Sequence, residues 1–271
     1  MAAKKKQSNR KINRQLAETK DALTVGGGSR LSGKIAVVTG GNRGIGMAIA
    51  RALVREGCSV VITGRDRVAL MAAKTELSGV ASGCDAVPDV LAENCDVRHE
   101  ASVSALFAKV KEKWGGLDIL VNNAGVSQAT VPVEKTPLAV WNAAIDTNLT
   151  GTFLCSRAAI PLMRRGATIV NTLSIAAKMN LVNFAAYNAS KHGALGFTLT
   201  LREELIPKGI RVMALLPGAT ATDIWKQFWP EAPREKMVEP ENVAQAVLYA
   251  VLLPPQVNLS QLELVPLEGV L

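Results

Sequence analysis

Residues 35–46 read IAVVTGGNRGIG, a short run of apolar, largely β-branched residues that passes directly into a glycine-rich turn. A run apolar on both faces suits a strand buried within a parallel sheet. The helical pattern of residues 47–56 follows at once, so the turn joins a strand to the start of a helix. In that context Gly40 makes the tight turn, Gly44 lets the backbone approach a pyrophosphate, and Gly46 permits close helix packing. Free N–H groups at the helix start add positive potential for an anion. Asn42, Arg43 and Ile45 belong to the same candidate phosphate loop. The nearby GSRLSGK of residues 28–34 is a decoy: Ile35 stands where Ser or Thr should hold magnesium, and the segment precedes a strand instead of following one.

Outward from this turn, apolar runs recur at residues 59–63 (SVVIT), 119–122 (ILVN), 168–171 (TIVN) and 211–216 (RVMALL), with weaker ones at 91–95 and near 262–265. Helical patterns at 47–56, 103–114, 139–164 and 189–205 lie between them. Strand and helix in alternation predict a single doubly wound α/β domain, a Rossmann-type parallel sheet of about seven strands with helices on both faces. Ligands of such sheets bind beyond the carboxyl ends of the strands, so chemistry is sought just after each strand.

After the second strand stands Gly64-Arg65, where a dinucleotide-binding fold would place an acid to hold the ribose of NAD. Arg65 together with Arg43 can clamp a 2′-phosphate, which favours NADP(H). Asp96 after the third strand can accept a bond from adenine, with Val97 beside it. After the fourth, Ala124 and Gly125 let a cofactor lie against the backbone, whereas Asn122 and Asn123 equally suit a structural role tying strands together.

Ser174 follows the fifth strand, and Tyr187-Asn188-Ala189-Ser190-Lys191 comes next. Tyr187 and Lys191, four apart, share one helical face. A nearby cation stabilises the phenolate of a tyrosine that otherwise titrates at about pH 10. Tyr187 can therefore exchange a proton with a carbonyl or alcohol oxygen while Ser174 holds that oxygen. Lys191 would tune Tyr187. His192 points about 100° away from Lys191 around the helix and reads as a packing or surface residue.

Over roughly residues 33–266 this set, in order and spacing, resembles the short-chain dehydrogenase/reductase family: T-G-x-x-x-G-x-G on Thr39 to Gly46, N-N-A-G on Asn122 to Gly125, the serine on Ser174, and Y-x-x-x-K on Tyr187 and Lys191. The resemblance implies that Asn148 completes the catalytic set by anchoring a water that links Lys191 to solvent. It also implies that Pro217 and Gly218 lie against the nicotinamide, that Thr222 and the backbone near Thr220 bind its carboxamide, and that the chain forms a homodimer or homotetramer. Residues 219–240 would include a substrate lid. Ile224, Trp225, Phe228 and Trp229 there fit either core packing or closure over an apolar substrate. The Leu262-Glu263-Leu264-Val265-Pro266 stretch departs from the family's usual Asp-Gly-Gly close, so oligomer contacts and the pocket floor cannot be carried over from it.

The composition agrees. At 271 residues, 48% hydrophobic and 20% charged, the chain has material for one large core. Its +8 net charge is concentrated in residues 1–30, where eight basic residues face only Glu18 and Asp21. That basic arm reads as a solvated tail and not a nucleic-acid site. No signal-like apolar region or membrane-length run appears, so a cytoplasmic protein without a membrane partner is expected. Four cysteines without a C-x-x-C pair and two histidines argue against a disulfide scaffold or a metal. The expected function is NADP(H)-dependent hydride transfer between nicotinamide and a small-molecule carbonyl or secondary alcohol, as in a 3-oxoacyl-thioester reductase or a general carbonyl/alcohol dehydrogenase. The alternative is an NADP-binding sensor or scaffold without turnover.

Overall fold

In the computed structural model, which describes residues 29–269 apart from Asp85 and Phe228, seven strands form one parallel sheet. They are β1 (Ile35–Val38), β2 (Ser59–Gly64), β3 (Val90–Asn94), β4 (Leu117–Asn122), β5 (Met163–Thr172), β6 (Arg211–Pro217) and β7 (Gln261–Leu264), in the order β3-β2-β1-β4-β5-β6-β7. The order reverses between β1 and β4, and a crevice opens there because the loops leaving these two strands turn in opposite directions.

Helices α1 (Gly44–Arg55), α2 (Arg67–Ala81), α3 (Glu100–Trp114), α4 (Leu138–Ala144), α5 (Gly151–Ala159), α6 (Ala185–Leu205) and α7 (Pro240–Leu252) cover the sheet. Successive strand residues face opposite sides. Ala36 and Val38 of β1 therefore join Ile49, Leu53, Leu77 and Val247 from α1, α2 and α7 on one face. Ile35 and Val37 join Phe107, Val110, Leu154 and Leu201 from α3, α5 and α6 on the other. The doubly wound architecture expected from the strand and helix periodicity is the one observed.

Several boundaries differ from the sequence reading. The stretch 139–164, read as one helix, is α4, a π-helical turn at Ile145–Thr150, α5 and a 3-10 turn at Ile160–Leu162. Met163 and Arg164 already belong to β5. Pro161 supplies no N–H to continue an α-helix. Leu117 pairs with Met163 and Ile119 with Thr168, so the extra residues of β5 bulge out around Gly166, whose φ is +89°. Conversely, α1, α3 and α6 begin three or four residues earlier than their apolar periodicity suggests. Their first turns hold glycine, polar or small residues that read as loop.

Arg30, counted with the basic arm, grips both oxygens of Glu56 through Nε and one terminal nitrogen at 2.7 and 2.5 Å, and so belongs to the folded body. Residues 1–28, including the Gly26-Gly27-Gly28 link, lie outside the described residues. Buried Arg211 has no ion-pair partner among the described residues; its guanidinium donates to the carbonyls of Ala250, Val251 and Leu253, the electronegative end of α7.

Gly46 is inside α1, where alanine would ordinarily be favoured by about 1 kcal/mol. A Cβ there would stand 2.4 Å from both Asn123 Nδ2 and the Gly40 carbonyl oxygen. Gly46→Ala is therefore expected to lower the urea unfolding midpoint, with a net loss of about 1–3 kcal/mol from forced displacement of the β1 turn. An unchanged or raised midpoint would show that the turn yields freely.

Candidate active site

A cleft of about 1070 Å³ runs along the carboxyl ends of the strands. It is built where β1 hands over to α1. Gly40 and Gly44 adopt left-handed φ values of 61° and 53°, and a Cβ on Gly40 would come within 3.0 Å of the Ala124 backbone. Only glycine allows both conformation and approach. Arg43 occupies the N-cap of α1 without a side-chain cap bond. The N–H groups of Gly44, Ile45 and Gly46 consequently find no acceptor among the described residues, and an uncapped helix start of this kind accepts an anion.

Gly40, Asn42, Arg43, Gly44 and Ile45 all line the cleft. Gly46 does not; it lies behind the turn, against Asn123. Its contribution to the site is packing. Arg43 and Arg65 stand exposed on the rim beside β2, and neither guanidinium has an ion-pair partner among the described residues. Neighbouring Asp66 is committed elsewhere: its Oδ1 accepts the N–H groups of Val68 and Ala69 and caps α2.

Asp96 and Val97 line the next stretch. Asp96 is paired with Arg98, whose Nε and terminal nitrogen reach its two oxygens at 2.9 and 2.6 Å. Arg98 holds this carboxyl down to about 2, against the opposing effect of burial. It is ionised at neutral pH, with part of its capacity to accept hydrogen bonds already used.

The asparagines after β4 act as ties. Asn122 Nδ2 donates to Ser156 and Asn171, and Asn123 Nδ2 donates to the carbonyls of Thr39 and Gly40. Asn123, Ala124 and Gly125 also border the cleft, as do Pro217, Gly218, Thr220 and Thr222 at the end of β6.

At the far end of the cleft, Ser174, Tyr187 and Lys191 converge. Ser174 hydrogen-bonds Tyr187 and accepts the Ala176 N–H at 3.1 Å, which fixes the serine at the start of a 3-10 turn. Lys191 Nζ sits 5.6 Å from the Tyr187 ring centre and donates to the Thr172 carbonyl at 3.2 Å. Burial pushes the Tyr187 phenol above its ordinary range, while the Ser174 bond draws it back. Burial lowers Lys191 to about 8. His192 is exposed, its Nδ1 on the Asn188 carbonyl, away from the site.

A lysine held near 8 and released near 10.5 on unfolding binds fewer protons when folded throughout that interval. Stability must then rise with pH between these values. Relative to Lys191→Met, the wild-type protein is expected to gain up to about 3 kcal/mol between pH 8 and 10.5. Urea melts of both proteins at matched pH measure it, and a constant difference across the window would contradict a buried ammonium.

Asn148 does not line the cleft. It is 2% exposed inside the π-helical turn. Its Oδ1 accepts the Val126 N–H, and its Nδ2 donates to the Val126 carbonyl and the Ser190 hydroxyl, which in turn donates to the Tyr187 carbonyl. The side chain thus locks the loop after β4 onto α6.

Motif reading named Trp225 and Trp229 but missed the rest of the apolar half of the cleft, lined by Val126, Val140, Ile175, Leu181 and Phe184. Its one signal in sequence is position, just after β4, β5 and β6. The aromatic segment is a 3-10 turn, Asp223–Gln227, and not an α-helical face. Trp225 both packs against the Ala219, Ala232 and Met237 cluster and faces the cleft, with Nε1 donating to the Thr220 carbonyl at 2.7 Å. Phe228 is outside the described residues.

Comparison with known proteins bears on this geometry. The family model for short chain dehydrogenases matches residues 34–233. A 3-oxoacyl-(acyl-carrier-protein) reductase of Synechocystis is 35% identical over 232 residues, 83% of this chain and 91% of that protein. A 3beta-hydroxysteroid dehydrogenase of Mediterraneibacter gnavus is 38% identical over 199 residues, 72% of this chain and 69% of that protein. A short chain dehydrogenase of Burkholderia cenocepacia, solved in complex with NADP, superimposes with a TM-score of 0.78 at 31% identity, covering 87% of this chain and 97% of that one. The sequence match and the shared fold show that this chain belongs to the short-chain dehydrogenase family of oxidoreductases.

Proposed function

We propose that the chain is an NADPH-dependent ketoreductase acting on a small, uncharged carbonyl compound. The observation that carries this reading is the convergence of Ser174, Tyr187 and Lys191 at one end of a cleft whose other end presents two arginines with no ion-pair partner among the described residues. The cradle suits the cofactor. Gly40 and Gly44 leave room that a Cβ would fill, the open start of α1 suits a pyrophosphate, and Arg43 with Arg65 suits a 2′-phosphate.

Bound NADPH would supply the hydride. The Ser174 hydroxyl then orients the substrate oxygen, and Tyr187 delivers its proton to that oxygen as negative charge builds there. Lys191 stabilises the phenolate that remains and offers hydrogen bonds to the cofactor ribose. Asn148 acts as a lock between loop and helix, on which a proton path to Lys191 can be organised. Burial keeps the phenol protonated at neutral pH, which supports reduction as the working direction. Among the described residues, Lys191 is the one Lys or Arg lining the tyrosine side of the cleft, where the walls are otherwise largely apolar. That supports a neutral substrate.

The test is NADPH oxidation by the full-length protein across aliphatic, cyclic and aromatic ketones, aldehydes and acetoacetyl thioesters, with NADH in parallel. Turnover of at least one ketone with NADPH preferred is expected. Tight NADPH binding without oxidation by any carbonyl would instead support the sensor or scaffold reading.

A further inference from the structure

Helix α6 begins without a cap of its own. Its N-cap residue is Phe184, which offers no side-chain acceptor, where Ser, Thr, Asp or Asn would normally take the N–H of the second or third helical residue. That third residue is Tyr187. Its N–H donates instead to Gln128 Oε1 at 3.0 Å, a bond that spans 59 residues of sequence.

The other end of the same carboxamide donates to the Asn183 carbonyl at 3.3 Å. The Val131 N–H meets that carbonyl too, at 3.1 Å. Asn183 is the non-glycine residue with a left-handed backbone among those described, at φ 65°. Such a conformation is costly for a residue with a Cβ and persists only when its surroundings hold it. Gln128 is 5% exposed, so water would not readily replace its bonds.

We propose that Gln128 is a positioning residue for proton transfer. It supplies from the loop after β4 the cap that α6 lacks, and so fixes where the Tyr187 hydroxyl stands over the cleft. The inference rests on Tyr187 being the proton donor. A displacement of about 1 Å at such a group costs on the order of 100-fold in rate.

Two substitutions separate positioning from general support. Gln128→Met keeps the length and removes the acceptor. Gln128→Glu keeps an acceptor within reach of the Tyr187 N–H. With the best ketone of the panel, Gln128→Met is expected to lower kcat about 30- to 100-fold, while the ketone KM and NADPH affinity change by less than about threefold. Gln128→Glu is expected to recover most of that loss.

Amide hydrogen exchange on the wild-type protein gives a readout independent of any variant's folding. The Tyr187 amide should be protected, although an uncapped first-turn N–H would exchange freely. The idea is overturned by rapid exchange at Tyr187, by a near-normal kcat in Gln128→Met, or by equal losses in the Met and Glu variants. If Tyr187→Phe kept full turnover, the proton-donor reading itself would fail. If Tyr187→Phe were inactive and Gln128→Met normal, only the role of Gln128 would.

Discussion

Tyr187→Phe is expected to lower kcat for ketone reduction by about 10³-fold while leaving NADPH affinity within about twofold. The substitution removes one hydroxyl and nothing else that the site uses. The ring keeps its edge contact with Phe184, 6.4 Å between centroids, and Lys191 keeps its bond to the Thr172 carbonyl. What disappears is the proton that meets the developing alkoxide, together with the bond to Ser174. Single-turnover kinetics with preloaded NADPH measure the loss without interference from product release. A residual rate within tenfold of wild type would mean that water or another group protonates the product.

The second large effect is on cofactor choice. Arg43→Ala combined with Arg65→Ala is expected to weaken NADPH binding about 100-fold, roughly 3 kcal/mol, and to leave NADH binding nearly unchanged. Neither guanidinium has an ion-pair partner among the described residues, and both are solvent-exposed, so the effect should fade as salt rises. Asp66 will not take over recognition of a ribose hydroxyl, since its carboxylate is held at the start of α2. Titrations of both dinucleotides at two ionic strengths decide the matter; equal losses for NADPH and NADH would remove the 2′-phosphate from the argument.

Groups that lie close together in sequence, or that recur just after strands, were legible before any coordinates. The apolar runs reveal the sheet because parallel strands are buried on both faces, and the glycine loop betrays its turn because few other residues fit there. Helical spacing puts Tyr187 and Lys191 on one face, and their place after the fifth strand, downstream of Ser174 and the glycine loop, marks the pair as chemical. What stayed hidden depends on contacts between distant segments. Gln128 carries no motif, and its importance appears only when Tyr187, 59 residues later, presents an N–H to it. The resemblance gives Asn148 a role toward a water near Lys191; that its side chain also ties Val126 to Ser190 shows only in the fold. The π-helical turn within the 139–164 stretch was equally invisible, since it keeps the residue types of an ordinary helix, whereas Pro161 marks the end of α5 in the sequence itself.

The crevice between β1 and β4 has a kinetic meaning as well. Ala36 pairs with Ile119 and Val38 with Val121, so the two walls are brought together by contacts about eighty residues apart in the chain. Contacts of that span form slowly, because a long loop must be closed before they yield anything. Until β4 docks beside β1, the glycine turn has no Ala124 to approach, and no dinucleotide site exists. A dinucleotide that binds there selects only chains that have completed this pairing, and it stabilises them by mass action. During refolding, acquisition of dinucleotide binding should therefore follow burial of the sheet and report the last topological step, not the first collapse.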